Sequence, residues 1–313
     1  MIRFSENNQI DRIKWNNCIM QSVNSLHYAY DWYLDIVAEG WAALIENDYE
    51  SVMPLVYRKK AGIYYIFTPI FTQQLGIFST RLLDNEICNN FINAIPAKFR
   101  FIEYNLNSYN QIDNEKFETK SNANHLLDLI DNYENIRKNY SDNLKRNLKK
   151  AEKYNLNISE NIKPEDIIHI FAENKGKEIN RFTKEDYQLL KRLIYKGIHN
   201  NIAVSMGVYT QHNELCAAAV FFISGQRAVF LFSATNQTAK ETFAMPLLID
   251  NFIRKNAESN MILDFEGSND VNLARFYKSF GSKTATYDTL LINKLPFFIK
   301  FPVNLIKKLR KYV

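Results

Sequence analysis

Twice along this chain a pair of helical stretches leads into three strand-like runs, and these lead into a helix and one more strand. In the first pass Asp11 to Val23 and Tyr30 to Ala38 read as helices. Trp41 to Glu46, Val52 to Tyr57 and Ile63 to Phe67 read as strands, with Asn47-Asp48 and Lys60-Ala61-Gly62 as the turns between them. Asp84 to Ile95 is helical up to Pro96, and Phe99 to Leu106 is a strand. In the second pass His125 to Ile130 reads as a linking strand, Tyr133 to Tyr154 as a helix or helix pair, and Leu156 to Ser159 as a strand. Pro164 to Ile179 and Lys184 to His199 are helices, followed by a meander over Ala203 to Thr210, Leu215 to Ile223 and Ala228 to Ala234. Phe243 to Ala257 is a helix, and a strand, a helix and a final strand, Ala285 to Asn293, close the pass. One element order used twice, without an obvious sequence repeat, predicts an α/β chain with α+β mixed sheets and two tandem units. The expected units are residues 1–120 and 121–313, the second carrying basic linking helices at 133–154 and a basic amphipathic tail at 295–313.

The 313 residues are 46% hydrophobic, with 22 Phe and 18 Tyr against only 9 Gly and 7 Pro, which suits packed cores and excludes disorder. No apolar run reaches the roughly 18 residues a spanning helix needs, and Met1 to Glu6 lacks the apolar core of a secretion signal. Cys18, Cys88 and Cys216 are odd in number and far apart, so they form neither a disulfide framework nor a metal pattern, and a cytoplasmic chain is expected. His27, His125, His169, His199 and His212 show no HExxH or paired spacing, so no metal is expected. The Gly-x-Ser-x-Gly elbow of a serine hydrolase is also missing.

Charge is concentrated. Arg137 to Lys153 holds seven bases against two acids, a net of +5, and Lys294 to the end holds six bases and no acid. With a whole-chain charge of +5, the remainder is acidic by 6. Segregated basic patches point to an anionic partner more than evenly spread charge does.

The stretch with the most chemical content is Met261 to Gly281. Met261 to Phe265 is a strand, Gly267 breaks it, Ser268 or Asn269 is placed to cap the next helix, and Gly281 ends that helix. Leu273, Phe276, Tyr277 and Phe280 fall on one helix face. Asp264 and Glu266 therefore sit at the carboxyl end of a strand facing a helix start, where α/β sheets usually place chemistry. The alternative is that Glu266 and Ser268 only shape the turn.

The element order resembles the GNAT acyltransferase fold. Asn143 to Lys153, with the Asp264-Phe265-Glu266-Gly267-Ser268 turn and Phe276 to Gly281, resembles the Fem-type peptidyltransferases, which are tandem GNAT proteins. The first half, through Ser25 to Tyr30, Asp48-Tyr49 and the Gln73-Gln74-Leu75-Gly76 loop, resembles a further branch of FemAB-like proteins. The resemblance spans nearly the whole chain. It implies two tandem GNAT-like domains and transfer of an acyl or aminoacyl group from acyl-CoA or aminoacyl-tRNA onto an amine, such as one on a cell-wall precursor or a polysaccharide. One departure stands out: Gln237 to Pro246 and Ser79 to Asp84 lack the glycines with which CoA-using relatives approach a pyrophosphate.

Within that reading Asp264 or Glu266 orients or deprotonates the amine, and Tyr277 and Lys278 steady an oxyanion or a phosphate; otherwise Tyr277 is core and Lys278 is solvated. An aminoacyl ester is already activated, so positioning supplies most of the rate and no nucleophile motif is needed. Lys145, Arg146, Lys149 and Lys150 would hold phosphates, or form a solvated helix face. Gln73, Gln74, Ser268 and Asn269 are candidate hydrogen-bonding groups for a substrate, although Gln73 and Gln74 equally suit local backbone. Tyr28, Tyr30 and Trp32 are candidates to stack on it, or are core aromatics. In the tail Leu305, Ile306, Leu309 and Val313 share a helical stripe with bases opposite, fit either to rest on the inner face of an anionic membrane or to dock on the chain's own domain. A non-catalytic module that binds an anionic ligand or RNA is the alternative to a transferase.

Overall fold

A computed structural model describes residues 1–113, 115–179, 182–267 and 269–296. In chain order these form β1 (Ile2–Glu6), α1 (Arg12–Gln21), α2 (Asp31–Val37), β2 (Trp41–Glu46), β3 (Ser51–Lys60), β4 (Ile63–Phe67), β5 (Phe78–Ser79), α3 (Asn85–Asn93), β6 (Phe99–Asn105) and β7 (Glu118–Asp128). There follow α4 (Tyr133–Lys138), α5 (Asp142–Ala151), β8 (Asn157–Glu160), α6 (Pro164–Phe171), α7 (Lys177–Ile179), α8 (Lys184–His199), β9 (Ala203–Tyr209), β10 (Leu215–Ser224) and β11 (Arg227–Thr235). The chain closes with α9 (Gln237–Thr242), α10 (Ala244–Asn256), β12 (Ile262–Asp264), α11 (Val271–Lys278) and β13 (Lys283–Asn293). The candidate tail at 297–313 lies outside the described residues.

Two compact units emerge. The first comprises residues 1–24, 28–121 and 287–296; the second comprises residues 25–27 and 122–286. In the first unit the strand order is β1-β2-β3-β4-β6-β13, with β5 on β3. The meander β2-β3-β4 is antiparallel, β4 and β6 are parallel, and β6 pairs antiparallel with β13. In the second unit the order is β8-β9-β10-β11-β12-β7; its meander is also antiparallel, β11 and β12 are parallel, and β12 pairs antiparallel with β7. Each unit thus has the same pairing scheme. The strand that completes each scheme follows, in sequence, the parallel strand of the other unit.

Burial explains why the meander strands read so clearly. In β10, Leu215-Cys216-Ala217-Ala218-Ala219-Val220-Phe221-Phe222 is apolar throughout, as a strand covered on both faces must be. Phe221 stacks on Phe252 of α10 with ring centroids 3.8 Å apart. Its neighbour Phe222 points to the opposite face, against Gly197 of α8, where an added Cβ would collide with the ring. In the first unit Trp15 of α1 packs on Trp41 of β2 at 5.1 Å and donates its indole N–H to the Ala29 carbonyl at 2.8 Å.

Several elements differ from expectation. β1 was not foreseen, and β7 begins at Glu118, seven residues before the expected His125, because its polar start carries no apolar signal. Tyr133 to Tyr154 is a helix pair, α4 and α5, with a short 3₁₀ turn after it. α9 precedes the expected helix: its sequence QTAKET shows no apolar stripe, and the Asn236 side chain caps it by accepting from the Ala239 N–H at 3.0 Å. Phe243, at φ 58, separates α9 from α10.

Candidate functional site

β12 ends at Asp264, and the next three residues turn the chain toward α11. Asp264 is 1% exposed. Its Oδ1 accepts the backbone N–H of Glu266 at 2.9 Å, which folds the turn, and Glu266 adopts φ 54. Its Oδ2 accepts from Arg227 Nη1 at 2.9 Å and from Asn124 Nδ2 at 3.3 Å. Arg227 opens β11, two residues before the Val229 that pairs with Asp264. Gly267 then passes so close to β7 that a Cβ would overlap the Ala123 carbonyl oxygen. The expected helix cap moves: Asp270, not Ser268 or Asn269, accepts from the N–H groups of Asn272 and Leu273, both at 2.9 Å. Asn269 instead ties the turn to β7, accepting from Ala123 N and donating to Asn122 Oδ1, both at 3.3 Å. Ser268 lies outside the described residues.

On α11, Tyr277 is buried and stacked on Phe265 at 4.9 Å, whereas Lys278 is exposed. Burial, then the charges of Glu266 and Asp264, hold the Tyr277 hydroxyl protonated well above its ordinary range. Phe280 is buried and Phe276 half-buried, but Leu273, expected on the same face, is 41% exposed. His125 of β7 completes the cluster. It is 1% exposed, lies 6.0 Å from the Tyr277 ring, and neither ring nitrogen has a hydrogen-bond partner among the described residues. Burial and then the Lys278 charge lower its pKa, against the opposing pull of Asp264. The four expected catalytic residues, Asp264, Glu266, Tyr277 and Lys278, therefore share one neighbourhood with Arg227, Asn124 and His125. Those last three escaped the sequence reading. Arg227 carried a usable signal, since a lone base opening an apolar strand needs a buried partner.

Next to α11 lies a second feature of the same unit. The Ser141 N–H donates to the Ser279 carbonyl at 2.8 Å, which sets the α4–α5 turn on the end of α11. α4 and α5 border a groove of about 480 Å³ lined by Arg137, Lys138, Lys145, Arg146 and Lys149, with Glu134 and Glu152. Leu144, Leu148 and Ala151 bury the opposite face of α5, so the bases stay outward.

The remaining candidates belong to the first unit. Tyr28 is 1% exposed and packs edge-on against Tyr33 at 5.6 Å, as a core aromatic does. Tyr30 and Trp32 are half-buried. Gln74 is buried; its Nε2 donates to Gln73 Oε1 at 2.7 Å and its Oε1 accepts from the Ser108 N–H at 3.1 Å, so its amide serves the loop itself.

No family model and no curated protein matches the chain by sequence. Solved structures do match its fold. A crystal structure of FemX superposes with a TM-score of 0.65 at 10% identity, over 90% of this chain and 96% of that one. A conserved protein of unknown function from Bacteroides thetaiotaomicron VPI-5482 gives 0.57 at 10% identity, over 93% and 100%. L-PGS from Bacillus licheniformis gives 0.55 at 11% identity, over 96% of each chain. These superpositions show the fold alone: the chain has a FemX-like, GNAT-type fold.

Proposed function

We propose that this protein is an acyl- or aminoacyltransferase that moves an activated acyl group onto an amine, with a cell-wall precursor or a polysaccharide-linked amine as the acceptor class. One observation carries this reading: the interruption of β11 just beyond the end of β12. Val220 pairs with Phe232 and Phe221 with Phe230, so Leu231 is a bulge residue with no register partner on β10. Pairing between β11 and β12 stops at Val229 and Asp264, two residues earlier. A bulge re-aims local backbone groups, and a backbone N–H facing a carbonyl oxygen is the usual device for stabilising charge during acyl transfer.

In the reaction the amine nitrogen forms a bond to the acyl carbon, the ester or thioester bond breaks, and the amine proton passes to a base while the leaving oxygen or sulfur is protonated. Asp264 is fully engaged, so its role here is to position Glu266, whose half-buried carboxylate is the proton acceptor; Lys278 stabilises the leaving group or a phosphate. The start of α9 does not suit the pyrophosphate of CoA. It has no glycine, and Asn236 already occupies the Ala239 N–H. An aminoacyl ester is the better-fitting donor.

The test is transfer from aminoacyl-tRNA and from acyl-CoAs to amine acceptors, read by mass spectrometry of the product. Glu266→Gln and Lys278→Ala are each expected to cost roughly a hundredfold in rate with the unfolding midpoint unchanged. Undiminished transfer in both variants sinks the site assignment. A thermal-shift comparison of the same donors with nucleotide-sugar peptides identifies the ligand class. The saturation of Asp264 favours one other reading, a fold retained as a binding module; it predicts ligand-induced stabilisation without any product.

A further inference from the structure

We propose that Asp250 of α10 is a positioning residue: through Tyr133 and Tyr140 it holds the corner between α4 and α5, and that corner holds the end of α11 that carries Lys278, a role that rests on the proposed transferase reading.

Asp250 is a buried acid among apolar neighbours. It is 4% exposed, and Leu248, Ile249, Phe252 and Ile253 around it on α10 belong to the core. Tyr133, which opens α4, donates its hydroxyl to the carboxylate and lies 2.9 and 3.0 Å from its two oxygens. Arg254 sits over the Tyr133 ring at 4.7 Å, donates to the same hydroxyl oxygen at 3.1 Å and lies 3.7 Å from the carboxylate. Tyr140, in the corner that follows α4, turns a buried hydroxyl toward the acid; burial and then the Asp250 charge raise the pKa of that hydroxyl. Burial likewise raises the pKa of Asp250, opposed by the two hydroxyls and by the charges of Arg254 and Arg137.

Stability alone does not account for such a network. Desolvating a carboxylate offsets most of what its partners contribute, and apolar side chains of similar volume often serve the fold as well. What the acid supplies is direction. Two hydroxyls on either side of α4 must point at one buried group, and that fixes where the helix starts and how the chain leaves it.

The corner is fastened to the end of α11 in three ways. The Ser141 N–H donates to the Ser279 carbonyl at 2.8 Å. The Tyr140 ring meets Phe280 edge-on at 5.6 Å. Gly281, at φ 81, passes so close that an added Cβ would stand 2.9 Å from the Asn139 Cβ. Lys278 immediately precedes this stretch and is exposed, so its reach is set by where the helix end is held.

The experiment uses the full chain and the double variant Asp250→Leu/Tyr133→Phe, which replaces the network with apolar groups. Tyr140→Phe is the milder second variant, since it keeps the ring on Phe280 and carries the same test if the double variant folds poorly. Unfolding midpoints are measured for all, and the double variant is expected to unfold no earlier than the wild type. Hydrogen exchange at the Ser141 amide is expected to quicken about tenfold while the Phe252 and Ile253 amides of α10 stay protected. In transfer assays kcat is expected to fall about tenfold with the donor KM unchanged. The same substitutions made in Lys278→Ala are expected to cost less than about twofold, because residues that act as one unit are not additive. Unchanged exchange at Ser141 overturns the proposal, and so does a raised KM with kcat intact or an undiminished loss in the Lys278→Ala background. If the wild type transfers nothing from any donor, the transferase reading fails by itself. Exchange at Ser141 then still decides whether Asp250 holds the corner: faster exchange upholds it, and unchanged exchange removes it.

Discussion

Asp264 and the five groove cations belong to the same unit, yet their charges are handled in opposite ways. The carboxylate is 1% exposed and spends both oxygens on Arg227, Asn124 and the Glu266 N–H. The cations are gathered on two helices, and none forms an ion pair within 4.0 Å among the described residues, although two acids share their groove. A buried charge persists only when its partners offset desolvation, so such a pair is architecture. An accessible charge without an ion-pair partner contributes little to the fold. The contrast also separates two candidates that look alike in the sequence, where each is simply a short charged motif beside an apolar run.

Removing Arg227 is the strongest way to break this comparison. Arg227→Ala leaves Asp264 buried without its cation, and a loss of about 3–5 kcal/mol is expected from urea unfolding. A loss below about 1 kcal/mol would place Asp264 in contact with solvent and return it to the list of proton acceptors. Replacing the carboxylate instead, in Asp264→Asn, keeps the turn's hydrogen-bonding shape but strands the guanidinium, so it also destabilises before it informs on catalysis.

Acidification probes the neutral side of the same contrast. Burial lowers the pKa of His27 to about 3, and burial with the Lys278 charge lowers that of His125. In the unfolded chain both titrate near 6.5, so below that pH the unfolded state binds more protons than the folded one. The stabilisation is therefore fully present above pH 6.5 and is lost as pH falls toward the folded values. For His27 alone the loss between pH 7 and pH 5 is about 2 kcal/mol. It is measured as a shift in the denaturant midpoint that His27→Phe removes. A wild-type midpoint that does not move between those pH values contradicts the buried, neutral state of both rings.

The sequence made the sheets legible and left the site half-read, for physical reasons. β10 announced itself because a strand covered on both faces must be apolar throughout, and the end of β2 followed from the Asn47-Asp48 turn. The start of β7 and all of α9 were silent, since Glu118 to Ala123 and QTAKET carry no apolar periodicity. At the site, Asp264, Glu266, Tyr277 and Lys278 lie close in sequence, so their grouping was visible. Arg227 and His125 reach the same place from β11 and β7, through long-range strand pairing that no local pattern reports. For that reason the sequence marked Asp264 as a free acid, while the fold supplies the cation that occupies it.

The smallest expected effect sharpens the comparison from the groove side. Arg146 and Lys149 are exposed, pair with no carboxylate among the described residues and sit opposite the buried Leu144–Leu148 stripe, so Arg146→Gln or Lys149→Gln removes no ion pair seen in the fold. Each is expected to change stability by no more than about 0.5 kcal/mol. The sign is informative. Relief of repulsion among five neighbouring cations makes the variants slightly more stable at low salt, and the gain fades as salt screens the charges. Differential unfolding at two salt concentrations measures this directly. A loss above about 1 kcal/mol, insensitive to salt, would mean that these side chains are packed into the fold as Arg227 is, and the distinction between the two regions would collapse.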